Sequence, residues 1–518
     1  MKRLVAGILS AAMCAAVTTG CGSTGTKEAA GGKVTWWVPL SGNVSAKAGS
    51  LNETPFAEAL QKETGIEVEF IHPASGSESE KFNIMISSGS MPDIVEYEWV
   101  KYIGGPAQAI KEEVILSLND IIEQQSPNLK EFYKQHPDLE KEARTEDGDL
   151  YLYPMYALDD VLRTFMGGMV RSDILEQLNL SVPETIEDWD TMLRAFKAGG
   201  VEIPLTLNLD NKYLGMHSAF LGAYHLTGSY FQENGRVKFG PYEPAFWDFV
   251  TLMTGWYRDG LLDPNFMDTD TKRRTEVMAG GSGGAAFGSA GGDFGKWIPT
   301  LQSTQPEAEF VPVPYPVMKR GERPFTGQKG AVGSGYGAAI SADSKNVENA
   351  VKLLDYGYGE AGHMLYNFGV EGVSYTMEEG RPVYTDIITD PDKNGGLGIG
   401  AAMGQYQRAC YSGPFIQDKE YIYQFYGMES QKRALEVWSD TDAAKYLIPT
   451  IHMTAEENKE YNKIMVDIDT YRQEILYKTI AGQLSLDQKD AYYRGMKERG
   501  IERAIEIQQE AYDRFVNR

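Results

Sequence analysis

Several short runs in this chain match spacings that elsewhere do chemistry. Gly280-Gly281-Ser282-Gly283-Gly284 satisfies Gly-x-Ser-x-Gly, the turn that lifts a serine nucleophile off the end of a strand. A helical pattern through Val277 and Met278 precedes it, so the run reads as a loop selected for positive φ or close approach. Gly357-Tyr358-Gly359-Glu360-Ala361-Gly362 satisfies Gly-x-Gly-x-x-Gly but follows a helix over 350–355, with no phosphate-binding strand before it. Asp390-Pro391-Asp392-Lys393-Asn394-Gly395 opens like a calcium loop. Its twelfth position is Ala401, so the bidentate carboxylate is missing and a polar linker is the expectation.

The six histidines are scattered and none forms His-Glu-x-x-His, so structural or surface roles are expected of them, no metal ligand is assigned and no cofactor is expected, while a loop-bound calcium stays an open alternative. Among 73 acidic residues a glycosidase-type carboxylate pair is not legible, because sequence does not give distance. The formal charge of −24 argues against nucleic acid as a partner, which needs a basic face.

Cysteine carries a different message. Val17-Thr18-Thr19-Gly20-Cys21 closes an N-terminal segment with Lys2 and Arg3 in front and a short apolar run over 4–17. Thr18 stands where bacterial lipoprotein signals usually place Leu, but Gly20 directly before Cys21 fits that pattern. Residues 1–20 therefore read as a lipoprotein signal peptide and Cys21 as the lipidated residue. The small, polar stretch over 21–32 reads as a flexible tether. With Cys14 in the signal and Cys21 lipidated, Cys410 is left alone, and no intramolecular disulfide is expected. No later run reaches the roughly 18 apolar residues of a membrane span.

The elements that must position any site begin at Lys33-Val34-Thr35-Trp36-Trp37-Val38-Pro39, which reads as a first strand. Thr54-Pro55 opens a helix that Gly65 ends. Ile66-Glu67-Val68-Glu69-Phe70 alternates as a strand, a helix through Phe82, Met85 and Ile86 ends at Gly89, and Met91 to Tyr97 is a third strand. This alternation predicts an α/β domain with a largely parallel sheet, and ligands of such sheets bind beyond the carboxyl ends of the strands. Those ends carry Trp36-Trp37 and Tyr97-Glu98-Trp99. Farther on, 160–310 is richer in helices and the C-terminal portion is helical. There Thr454 and Glu457 have capping-box spacing ahead of a stripe of Tyr461, Ile464, Met465, Ile468, Tyr471 and Ile475. About 490 residues after the tether suit two or three domains.

Several of these stretches, in their order, resemble family 1 extracellular solute-binding proteins of the maltose-binding class. Val34 to Val38 with the following helix, and Ile86-Ser87-Ser88-Gly89-Ser90-Met91-Pro92-Asp93-Ile94, look like that family's opening lobe. Asp147-Gly148-Asp149-Leu150-Tyr151-Leu152-Tyr153-Pro154 is similar to its strand entering the hinge. Arg171 to Leu180, Pro183 to Trp189 and Tyr257 to Pro264 resemble its later helices. Asn367 to Gly372 and Gln509 to Arg514 are similar to the LplA-like oligosaccharide-binding lipoproteins of Gram-positive bacteria.

The resemblance implies a two-lobed periplasmic-binding-protein-like fold of type II, each lobe a mixed sheet flanked by helices, with a hinge and a helical C-terminal extension. It places lobe 1 at 33–160 plus 335–370 and lobe 2 at 161–334 plus 371–518. The crossings fall near 158–164, 325–336 and 370–384. It implies a monomeric, non-catalytic, lipid-anchored receptor on the extracellular face of the cell membrane. Such a receptor captures an oligosaccharide between its lobes and passes it to two permease subunits of an ABC importer. A surface-attached glycoside hydrolase or lyase is the alternative.

Aromatic faces stack on the C–H faces of sugar rings and carboxylates accept from sugar hydroxyls, so the implied ligand contacts are residues of those kinds at strand ends and crossings. They are Trp37, Glu98 and Trp99 in the first lobe, Asp159 at the first crossing, and Ser289, Asp293 and Trp297 in the glycine-rich segment. Glu371 at the third crossing completes the set. Trp36 and Trp37 point to opposite faces of a regular strand, so at most one of them should face the cleft.

Overall fold

The computed structural model describes residues 32–517, so the lipoprotein signal, Cys21 and all of the tether but Gly32 lie outside the described residues. Two sheets organise the rest. The strands are β1 (Val34–Trp37), β2 (Val68–Ile71), β3 (Ile94–Tyr97), β4 (Tyr153–Ala157), β5 (Met166–Arg171), β6 (Ile203–Thr206) and β7 (Tyr230–Glu233). They continue with β8 (Arg236–Phe239), β9 (Gly283–Ser289), β10 (Phe310–Val313), β11 (Gly333–Ile340), β12 (Tyr375–Glu378), β13 (Arg381–Tyr384) and β14 (Ile416–Gln417). A six-stranded sheet runs β14-β4-β11-β3-β1-β2 and a four-stranded sheet runs β10-β5-β9-β6.

Local sequence explains the first sheet. Thr54 caps the helix Pro55–Thr64 by accepting from the Ala57 N–H, and Gly65 ends it at φ 69°, the left-handed region that favours glycine. Phe56 and Leu60 on its inner face are fully buried. β1 lies parallel to β2 and β3, and β14 parallel to β4, while β11 is antiparallel to both β3 and β4, so the sheet is mixed. β11 arrives from the other lobe and inserts between strands already laid down, which alternation along the chain cannot reveal.

The glycine-rich run 280–284 turns at Gly280 and Gly281, as expected of a loop, and enters β9 at Gly283. β9 sits between β5 and β6, and a Cβ on Gly284 would come within 2.4 Å of the Phe196 ring. These glycines permit close packing of the helix Ile186–Ala198 on the sheet. Only Gly281, at φ 84°, needs the left-handed region.

The first and second connections between the sheets are 158–165, from β4 to β5, and 314–332, from β10 to β11. The third corrects the expected domain boundary. Residues 375–384 form the β12–β13 hairpin, whose Tyr384 and Tyr375 pack on Phe368, and β14 pairs with β4 at the edge of the six-stranded sheet. Asn367 holds that edge, donating to the Ile416 carbonyl and accepting from the Asp418 N–H. Residues 371–417 therefore belong with the first sheet, and the chain returns to the second only through 418–428, ahead of the helix Glu429–Ser439 packed on β10 and β5.

The C-terminal helices Ala455–Ile480, Lys489–Glu498 and Ile501–Asn517 pack on the helix Phe246–Arg258 and on the β7–β8 hairpin. Thr454 and Glu457 form the expected capping box. The last helix also reaches the first lobe, where Arg514 pairs with Glu146 at 3.2 Å while holding Glu457 at 2.6 Å. No helix among the described residues is long and apolar enough to cross a membrane.

Candidate functional site

The three connections lie side by side and are stitched by side chains. Asp159 caps the short turn Asp160–Leu162, accepting from the Val161 N–H at 3.1 Å, and its other oxygen meets Lys419 Nζ of the third connection at 3.1 Å. Asp160 pairs with Lys329 of the second connection at 2.7 Å and with Arg163. Burial pulls the Lys329 ammonium below its ordinary pKa, against the pull of Asp160. Gln328, itself buried, accepts from the Phe165 N–H at 2.6 Å and donates to the Arg163 carbonyl at 3.1 Å. Two adjacent aspartates thus clasp the other two connections.

Beside this clasp is a cavity of about 230 Å³ between the first and third connections. Phe165, Tyr421, Phe425 and Tyr426 supply its aromatic walls, with Thr164 and Cys410 as polar atoms in the lining. Phe165 is 42% exposed and offers its ring, while its carbonyl accepts from the Ala290 N–H at 2.9 Å. Both lobes close on Phe425 and Tyr426. A Cβ on Gly291, in the second lobe, would come 3.2 Å from the Tyr426 ring, and one on Gly400, in the first, 3.1 Å from the Phe425 ring. Glycine at both positions lets these rings seat between the lobes. Desolvation pushes the Cys410 thiol up to about 12, so it stays neutral and unreactive.

Beneath the site, Glu96 on β3 and Arg408 form a fully buried bidentate pair at 2.7 and 3.0 Å. Trp36 Nε1 and Ser412 Oγ also donate to the Glu96 carboxylate, each at 3.2 Å, and Tyr336 of β11 donates to its carbonyl. The Arg408 guanidinium stacks near the Trp36 and Tyr411 rings. The Glu96 carboxylate thus accepts four hydrogen bonds, which help such a buried ion pair to be tolerated, while Arg408 Nε has no hydrogen-bond partner among the described residues.

The expected ligand residues fall differently. Trp37 and Trp99 are brought together, but as core: both pack on Phe82, with ring centroids 6.4 and 5.3 Å away. Trp99 has no exposed surface and gives its indole N–H to the Val95 carbonyl; Trp37 is 5% exposed. Trp297 is 1% exposed, donates to Thr275 Oγ1 at 2.9 Å and lies against Phe294. A stacking ring must present a face, and Trp99 and Trp297 present none. Trp36 is likewise buried, so neither residue of that pair opens onto a cleft.

Ser289 and Asp293 are also brought together, and they satisfy each other. The Ser289 N–H donates to Asp293 Oδ2 at 2.8 Å, and the Asp293 N–H donates to Ser289 Oγ at 3.0 Å, closing the π-helical turn Ala290–Phe294. The same carboxylate faces the buried Arg274 at 3.5 Å. Glu98 is half exposed and pairs with Lys101 at 2.7 Å. Glu371 stands on the exposed turn before β12, in the first lobe and outside the connections. Asp159 does lie at the junction of the lobes, engaged by Lys419.

The cavity aromatics escaped the sequence reading. Their one signal was the dense run Tyr421-Ile422-Tyr423-Gln424-Phe425-Tyr426, which periodicity does not distinguish from a core helix. The calcium-like run is a pair of short helical turns. Asp390 caps the second by accepting from the Asp392 N–H, Asn394 is buried on the Ile388 carbonyl, and Lys393 pairs with Asp386.

A two-lobed α/β architecture with a clasped junction is the fold of a class of binding proteins. The family model for bacterial extracellular solute-binding proteins matches residues 48–364, and the chain belongs to that family. It is 24% identical to the lipoprotein LipO of Bacillus subtilis over 401 residues, 74% of each chain. It is 28% identical over 159 residues to the fructooligosaccharide ABC transporter substrate-binding protein FusA of Streptococcus pneumoniae, 29% of this chain and 28% of that one. The fold matches that of the alginate-binding protein AlgQ2 (TM-score 0.68, 24% identity, 93% of this chain and 98% of that one). It also matches an HMO-binding solute-binding protein of Bifidobacterium longum infantis (TM-score 0.75, 18% identity, 94% and 99%).

Proposed function

We propose that this protein is a membrane-tethered receptor that captures an oligosaccharide between its lobes and delivers it to an ABC importer. The observation that carries the reading is the aromatic cavity where the connections meet. Its walls come from segments that any opening or closing of the lobes must bend, so a ligand seated there couples to hinge motion. Relatives bearing carbohydrate names support the sugar assignment: FusA as a fructooligosaccharide-binding protein and AlgQ2 as an alginate-binding one.

The receptor is non-catalytic on this reading. The cavity lining holds no carboxylate, and the acids around it, Glu96, Asp159, Asp160 and Asp293, are each held in an ion pair. A glycosidase instead needs one carboxyl kept protonated and a second free to act across the bond. Asp159 serves the site as a clasp residue at the junction.

Lipidation at Cys21 anchors the chain to the outer face of the membrane, near two permease subunits, and the receptor works as a monomer. Tethering keeps it at high effective concentration beside its transporter. The test is to incubate the purified protein with an oligosaccharide mixture, isolate it, denature it and weigh what is released. A receptor returns intact glycan. Shortened or unsaturated fragments overturn the non-catalytic reading, and no glycan overturns the sugar reading.

A further inference from the structure

We infer that the cavity between the first and third connections takes one uncharged sugar ring, so that the ligand is a neutral oligosaccharide and not a chain of uronic acids. The inference rests on the carbohydrate reading above and narrows it.

The similar proteins leave this choice open, since they include one named for a fructooligosaccharide, which is neutral, and one named for alginate, a polyanion. The cavity does not leave it open. None of the residues that line it carries a formal charge at neutral pH, and Phe165, Phe425 and Ile422 make much of its wall apolar. Its volume of about 230 Å³ is enough for a single sugar ring.

A carboxylate brought there would lose its water and needs a cation in exchange. Each cation of the clasp and of the buried pair below already faces a carboxylate. Lys419 is held by Asp159, Lys329 and Arg163 by Asp160, and Arg408 by Glu96. Recruiting any of them would break a clasp or the buried pair below. A neutral ring asks for less: an apolar face to lie on and partners for a few hydroxyls. The aromatic walls give the first. Thr164, Tyr421 and Tyr426 are the hydroxyl-bearing side chains of the lining, neutral groups suited to a sugar hydroxyl rather than to a charge.

The experiment is calorimetric titration of the intact mature protein with two size-matched sets, neutral tri- and tetrasaccharides and oligogalacturonates or oligoalginates. At least one neutral member should bind about a hundredfold more tightly than any uronate. A uronate that binds as tightly as the best neutral sugar overturns the inference and leaves the carbohydrate reading standing. Binding by neither set overturns both. To place the ring, Phe425→Ala should weaken the neutral ligand at least tenfold. Where Phe425→Ala does not fold, Phe165→Ala, whose side chain is already partly exposed, serves with the same expectation. A folded variant of either kind that keeps full affinity shows that the ring binds elsewhere.

Discussion

Glu96 and Arg408 lie 312 residues apart and meet in a bidentate pair from which water is excluded on both sides. Glu96 is on β3, and Arg408 belongs to the segment that runs through β14 into the third connection. The pair therefore fastens the sheet of the first lobe to the strand that leaves it. Losing one partner strands a buried charge, so Glu96→Gln should cost about 3–5 kcal/mol of unfolding free energy. Replacing both, as Glu96→Met with Arg408→Met, should cost less than Glu96→Gln alone. Urea denaturation of the three variants measures both.

Trp99 separates a core role from a ligand role. Its indole donates to the Val95 carbonyl at 3.1 Å inside a cluster with Phe82 and Tyr102. Trp99→Phe should lower stability by about 1–3 kcal/mol through the lost bond and the space left behind, while the folded protein keeps its ligand affinity. Calorimetry at a temperature well below the midpoint distinguishes this from loss of a stacking platform, which would weaken binding about tenfold or more.

His217 gives the stability a pH dependence. It is fully buried, its ring faces the Asn208 carbonyl, and burial followed by the nearby Arg274 charge lowers its pKa to about 3. The unfolded chain has an ordinary histidine near 6.5 and so binds the proton more readily. The contribution of neutral His217 is therefore present above about pH 6.5 and fades as pH falls toward 3. Between pH 7 and pH 5 this one group should remove about 2 kcal/mol, and His217→Leu should flatten that part of the curve. Denaturant titrations at three pH values check the slope.

The elements of the first lobe were largely legible because their signals are local. Thr54, Pro55 and Gly65 bracket a helix by capping chemistry alone, and Thr454 with Glu457 does the same far downstream. The insertion of β11 between β3 and β4 was not legible, since strand order is decided by long-range pairing. The site was legible in kind and not in place. Tryptophan and carboxylate at strand ends suggested ligand contacts, but Trp37 and Trp99 find a better partner in Phe82, and Asp293 in Ser289 and Arg274. Burial of a side chain depends on which segment packs over it, and that information is spread along the whole chain.

Cys21→Ala tests the tether independently of the folded body. The variant should appear in the medium as a folded protein with unchanged ligand affinity, and uptake by the cell should fail. Membrane fractionation reads the first outcome; a variant that stays with the membrane contradicts lipidation at Cys21.

On the proposed reading, this chain binds a carbohydrate without altering it. Isothermal titration of the mature protein against an oligosaccharide panel, with peptides and divalent cations as separate arms, tests it most directly. A carbohydrate receptor should give saturable heat, with one-to-one stoichiometry, for at least one oligosaccharide. Silence across every glycan, together with saturable binding of a peptide or a metal ion, would contradict it.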